Sequence, residues 1–219
     1  MRRSAVYALV ALLTLVFASP ASAGESNWKL YTYNPSGRAL SSQQADDGSG
    51  GPAFTFTAGT DTALFAAERL EGPNTSLAGR TISATFRIDA PAGTTFHYYG
   101  ETSPSNPCGT PASVRLYFST NGSMGSKKDW YSNFWWSRSA LSSQVLANGT
   151  LTITANVSPG NWSNWNGKLD TDQPDGFAAA AADPALIGFS FGGGCFYENG
   201  VGASGGSATF TLLSFVIGE

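Results

Sequence analysis

Between Thr81 and Asp89 the chain alternates without a fault. Ile82, Ala84, Phe86 and Ile88 fall on one face, and Ser83, Thr85, Arg87 and Asp89 fall on the other. Successive side chains of a strand point to opposite faces, so this pattern fits a strand with one dry and one wet side, and no helix. The pattern recurs. Leu151, Ile153, Ala155 and Val157 alternate with Thr152, Thr154 and Asn156, and Val114, Leu116 and Phe118 alternate with Arg115, Tyr117 and Ser119. Phe54-Thr55-Phe56 is a shorter case, and Ile187, Phe189 and Phe191 lead into Gly192-Gly193-Gly194. Phe210 to Ile217 is apolar on both faces, as a central strand would be. Turn residues part these runs: Gly72-Pro73-Asn74, Pro91-Ala92-Gly93, Asn121-Gly122, Asn148-Gly149 and Ser158-Pro159-Gly160. Many short strands so spaced predict an all-β sandwich or barrel. Helix is scarce. Phe177 to Ala182, entered at Asp175 or Gly176 and left at Asp183-Pro184, predicts one short helical turn. Asp61 to Leu70 is open between a helical turn and a strand.

The first residues are of another kind. Arg2 and Arg3 precede an apolar stretch from Val6 to Phe17, then Pro20 and Ala21-Ser22-Ala23. A positive start, a short apolar run and a small-x-small end are the features of a cleaved signal peptide. Residues 1 to 23 are therefore expected to be removed, leaving a secreted, extracellular domain from 24 to 219. The apolar run falls short of the ~20 residues that span a bilayer, so no membrane insertion is expected. Cys108 and Cys195, the two cysteines, then meet an oxidising compartment and predict one disulfide. Closing so long a loop stabilises by about 4–5 kcal/mol in the chain-entropy account.

Charge narrows the list of partners. Without Arg2 and Arg3, ten basic residues face 15 acidic ones, a net charge near −5. A sparse, mildly acidic surface excludes nucleic acid as an expected partner, since phosphate backbones select clustered Lys and Arg. Lys127-Lys128 reads as a solvated loop tip. Aromatics make up 13% of the chain, too many for a disordered Gly/Ser/Thr-rich segment.

From Gly149 onward the residues resemble a known class. Gly149-Thr150-Leu151-Thr152-Ile153 reads as a strand, Pro159-Gly160-Asn161-Trp162-Ser163 as a Trp-bearing loop, and Phe177 to Ile187 as an alanine-rich turn. Ile187 to Gly194 then reads as a strand ending in glycines, and Ala208-Thr209-Phe210-Thr211-Leu212 opens the closing strand. This order resembles the C-terminal half of secreted bacterial jelly-roll domains of the carbohydrate-binding-module, galactose-binding-like kind. The resemblance implies a single jelly-roll-type antiparallel β-sandwich that binds a polysaccharide or glycan without catalysis. It also implies that Trp28 to Tyr33 pairs near the last strand. Neither a cofactor nor a particular oligomeric state is implied.

Tryptophan supplies the first candidate site. Trp130, Trp135, Trp136, Trp162 and Trp165 lie within one stretch, beside Asn133, Arg138, Asn161, Asn164 and Asn166. An indole offers an apolar face with a polar edge, suited to the C–H face of a sugar ring, while amides and Arg bind its hydroxyls. Trp135 and Trp136, if extended, point to opposite faces. Trp162 and Trp165 in an Asn/Gly/Ser loop are not expected to be both core. Core packing of each Trp is the competing expectation. Tyr99, Arg115 and Tyr117 form a second candidate. Each has the polar-side register of its strand, so the three line one outer face if the strands are neighbours. A plain cross-strand pair beside a solvated Arg is the alternative.

Catalytic patterns are thin. His97, between Phe96 and Tyr98, reads as a structural strand residue. No GxSxG elbow is present, and the His and Cys ligands of a metal hydrolase are missing. A jelly-roll glycosidase using Glu101 and Glu198, whose loops the disulfide joins, is one alternative. A structural or adhesive domain without a small ligand is another. Asp170-Thr-Asp172-Gln-Pro-Asp175-Gly176 departs by one residue from a calcium loop and lacks its closing Glu. It leaves a structural calcium open, with no metal ligand assigned.

Overall fold

The computed structural model describes residues 28–33, 40–44, 51–68, 76–104, 108–109, 111–120, 130–142, 146–195 and 197–219. The expected signal peptide, with its cleavage after Ala23, lies outside the described residues, as do Lys127-Lys128 and the turns at Gly72-Pro73-Asn74 and Asn121-Gly122.

Two antiparallel sheets stack face to face. The smaller runs β3 (Ala53–Phe56), β13 (Ala208–Gly218), β5 (Thr81–Asp89), β9 (Gly149–Asn156). The larger runs β10 (Trp162–Asn164), β8 (Phe134–Ser142), β7 (Ala112–Ser119), β11 (Leu186–Gly193), β4 (Thr62–Glu68), β1 (Trp28–Tyr33), β2 (Leu40–Gln44). Off that path, β12 (Val201–Ser204) pairs with β4 and with β6 (Thr95–Tyr98). This is the all-β antiparallel sandwich that the alternation predicted. Of the stretch Asp61 to Leu70, Thr62–Glu68 is strand, because β4 sits between β1 and β11, with Thr62 to Ala67 buried on both faces.

The inner faces are built from the alternating apolar residues. Ile82, Ala84, Phe86 and Ile88 are all fully buried, as are Val114, Leu116 and Phe118 from the other sheet. Phe210 stands at the centre, with the rings of Phe54, Phe65, Phe86, Phe189 and Phe191 at 4.7 to 5.8 Å. Each buried Phe contributes about 1.5–3 kcal/mol from area removed from water. Gly188 lets β11 approach β4 closely, since a Cβ there would lie 2.3 Å from the Phe65 carbonyl oxygen.

Two expectations about strands need correcting. β1 does not pair beside the last strand. It pairs with β2 and β4, and meets β13 across the core, where Trp28 lies 5.3 Å from Phe215. Trp162 is not in a loop. It opens β10, paired with β8, a strand of three residues that is too short to show alternation.

One end of the sandwich is closed by helix. α1 (Trp130–Asn133) is a single turn, and α2 (Pro174–Ala182) follows a 3-10 turn at Asp170–Asp172. Pro174 suits the first helical position, where its missing N–H costs nothing. Pro184 disfavours helix at Asp183 and stops it. Phe177, Ala180 and Ala181 form the buried stripe of α2, with Phe177 5.1 Å from Trp135. The Cys108–Cys195 disulfide is present, its Cα atoms 5.6 Å apart.

Candidate functional site

The outer face of the larger sheet departs from the pattern of the smaller one. Tyr117 on β7 stands opposite Trp136 on β8, with ring centres 5.4 Å apart, and Phe134 joins them at 6.4 Å from each. All three are buried, although each points away from the sandwich core. The alternation placed Tyr117 and Ser119 on a polar, wet register, and the structure buries both completely. Small residues on β11 make room for the rings. Gly188 stands beside Tyr117, and Ser190 stands between Leu64 and Arg115.

Two further rings lean on Trp136 from loops. Trp165 lies 6.0 Å from it and Tyr197 6.1 Å, and both are half-buried, with part of each surface open to solvent. Each loop is tied down. Asn164, itself buried, accepts the N–H groups of Asn166 and Lys168, both at 3.0 Å, and donates to the Tyr131 carbonyl at 2.8 Å. These bonds hold the turn that carries Trp165 and tie it to the backbone of Tyr131, a residue 40% exposed. On the other side, the Trp136 indole N–H donates to the Ser190 hydroxyl at 2.9 Å, and that hydroxyl donates to the Tyr197 carbonyl at 2.6 Å. Gly200 closes the same loop with φ +88°, where a Cβ would meet the Thr60 carbonyl oxygen at 2.3 Å. Its N–H bonds back to the Phe191 carbonyl.

Arg115 completes the patch. Its guanidinium carbon lies 4.4 Å from the centre of the Tyr197 ring, a cation–π contact. It also donates to the carbonyls of Ser137 and Arg138 at 2.8 and 3.0 Å. Burial pushes its pKa below the usual arginine value, and the neighbouring Tyr197 acts in the opposite direction.

The residues expected to bind therefore separate. Arg115, Tyr117, Trp136 and Trp165 come together on this outer face. Trp135 and Trp162 do not face solvent: both are fully buried in the core. Trp135 donates its indole N–H to the Ser132 carbonyl at 2.9 Å, and Trp162 donates to the Asn156 carbonyl at 2.8 Å and packs 4.8 Å from Phe118. Their exposure is corrected for one reason: β8 and β10 turn them inward. Trp130 opens α1, and its side chain lies outside the described residues. Tyr99 is not beside Arg115 and Tyr117 on a neighbouring strand. It lies in the turn after β6, which pairs with β12, and is 54% exposed. It reaches the Tyr197 loop instead, since the Asn199 amide donates to its carbonyl at 3.3 Å. Tyr197, Tyr131, Phe134 and Ser190 were absent from the expected site. Tyr197 had one signal, an aromatic two residues past a disulfide cysteine in a glycine-rich loop.

Other candidates sit apart from this patch or inside it in other roles. Glu101 is exposed in the turn after β6, while Glu198 is 1% exposed beside Tyr197. The Asp170 carboxylate takes backbone N–H groups from Gly160, Thr171 and Trp162 at 2.7, 2.8 and 3.3 Å, and Asp172 takes that of Leu169. These two carboxylates brace the turn ahead of α2. Among the described residues, no three His, Cys, Asp or Glu side chains gather as a metal site. No helix of the described residues is long and apolar enough to cross a membrane.

No protein-family model matches the chain, and no curated protein matches it. Among solved structures, the xylan-binding module CBM15 aligns over 86% of this chain and 92% of its own, with 16% identity and a TM-score of 0.42. The fold stated above is read from the sheets themselves.

Proposed function

We propose that this chain is a secreted, non-catalytic carbohydrate-binding domain, released by cleavage after Ala23, whose ligand stacks on Trp165 and Tyr197. One observation carries the reading: two partly exposed rings pack against a buried Trp136, each on a loop closed by its own hydrogen bonds. Rings held rigid before binding lose little conformational entropy on contact. Their flat faces suit the apolar side of a pyranose, and the exposed Tyr131 and Tyr99 are tied by their backbone carbonyls to the loops that carry the two rings. Arg115, over the Tyr197 ring, and Asn166, next to Trp165 in the chain, supply hydroxyl partners. A surface of separate rings favours an extended polysaccharide over a single sugar.

The test is pull-down and calorimetry of the mature chain against xylan, cellulose, chitin, starch and mannan, with Trp165→Ala and Tyr197→Ala as controls. Binding to at least one polymer that both substitutions weaken is the expected result. Binding to none, or binding indifferent to both, overturns the reading. Reducing-sugar release that Glu101→Gln or Glu198→Gln abolishes would replace it with a glycosidase.

A further inference from the structure

We infer that Ser190 is a positioning residue for this surface: its hydroxyl locks the Tyr197 loop to the Trp136 ring. The inference rests on the carbohydrate reading for its effect on affinity, but not for its effect on the loop.

Ser190 is fully buried in the middle of β11, on the outer face, between Leu64 and Arg115. A hydroxyl there has one proton to give and lone pairs to receive. Ser190 uses both functions on the two halves of the patch. It receives the Trp136 indole N–H at 2.9 Å and gives its proton to the Tyr197 carbonyl at 2.6 Å. The first bond sets the rotation of the Trp136 ring in its plane, and the second sets the height of the loop over it. Tyr197 then rests against Trp136 on one side and Arg115 on the other. The disulfide at Cys195 and the Gly200 N–H bond to Phe191 hold the two ends of the loop, so Ser190 is the tie at its middle. A residue of larger volume would lift the loop, and alanine would leave a buried donor and a buried acceptor unpaired.

The experiment compares the wild type with Ser190→Ala and Trp136→Phe. Amide hydrogen exchange reads residues 197–200, and indole NMR reads Trp136. In Ser190→Ala, exchange at 197–200 should rise about tenfold while the strands of the smaller sheet keep their protection. The Trp136 indole proton should shift. Trp136→Phe removes the donor and leaves the Ser190–Tyr197 bond, so its loop should stay protected. For whichever polymer of the panel the wild type binds, Ser190→Ala should weaken affinity about tenfold, mainly through faster release. An unchanged loop and an unshifted indole in Ser190→Ala overturn the inference, as does loss of protection equally across both sheets. If no polymer binds the wild type, the carbohydrate reading falls and the exchange result still decides the role of Ser190.

Discussion

On the outer face of the smaller sheet, Thr85 stands across from Thr152 with hydroxyls 2.9 Å apart; on the outer face of the larger one, Tyr117 stands across from Trp136. The first pair is one of a set. Ser83 meets Thr154 at 3.0 Å, Thr81 meets Asn156 at 2.8 Å, and Thr55 meets Thr209 at 3.2 Å. These are short polar side chains that satisfy one another across the strands and leave the rest of their polar capacity to water. The second pair belongs to a buried aromatic cluster whose Trp136 indole N–H is taken by Ser190 and whose rim is partly open. The same backbone geometry thus carries a solvated hydroxyl face and a packed aromatic face. The difference lies in what each face is given to touch. The loops bearing Trp165 and Tyr197 pack onto the larger sheet, while the outer hydroxyls of the smaller sheet bond across neighbouring strands.

The comparison has measurable edges. Trp136→Ala should cost about 3–5 kcal/mol in denaturant unfolding, as for a core aromatic. A cost below that of Thr85→Ala would make the larger sheet's outer face an ordinary surface. Replacing Cys108 and Cys195 by Ser should cost about 2–5 kcal/mol, read as a lower melting temperature of the oxidised against the disulfide-free chain. Proteolysis should then strike first near residues 194–200, and cleavage elsewhere would separate the bridge from the Tyr197 loop. Trp165→Ala should cost about 2 kcal/mol of binding, near thirtyfold in Kd by calorimetry, with little change in stability. Thr152→Ala should leave Kd unmoved, and an equal loss in both would place the ligand across the wrong sheet. Smallest of all, Thr85→Val with Thr152→Val should shift unfolding by less than about 1 kcal/mol.

Much of the frame was legible along the chain. The runs at Thr81–Asp89, Leu151–Asn156 and Val114–Phe118 are strands whose apolar residues face the core as their alternation assigned, while the outer face of the last is buried as well. The alanine run ended by Asp183-Pro184 is a helix, and the two cysteines are joined. The site was legible in part. Trp162 and Trp165 are, as expected, not both core: the first is buried and the second half-open. Trp135 and Trp136 do face opposite sides. Yet Trp136 is as buried as Trp135, and Tyr197 and Ser190 went unread. Ser190 is one serine among many, and its role exists only because Trp136 and Tyr197, 54 and 7 positions away, converge on it.

The sequence by itself determined the strands with clean alternation and which of their side chains share a face. Both follow from the two-residue period of the extended backbone, a local property that needs no distant partner. Tertiary structure alone decided which outer face is wet. Thr85 and Tyr117 hold the same polar-side register in strands of similar pattern, and Tyr117 is buried by the rings of Trp136 and Phe134 that pack against it. That packing depends on loops fixed by a disulfide, by Asn164 and by Ser190, side-chain contacts that no two-residue period encodes.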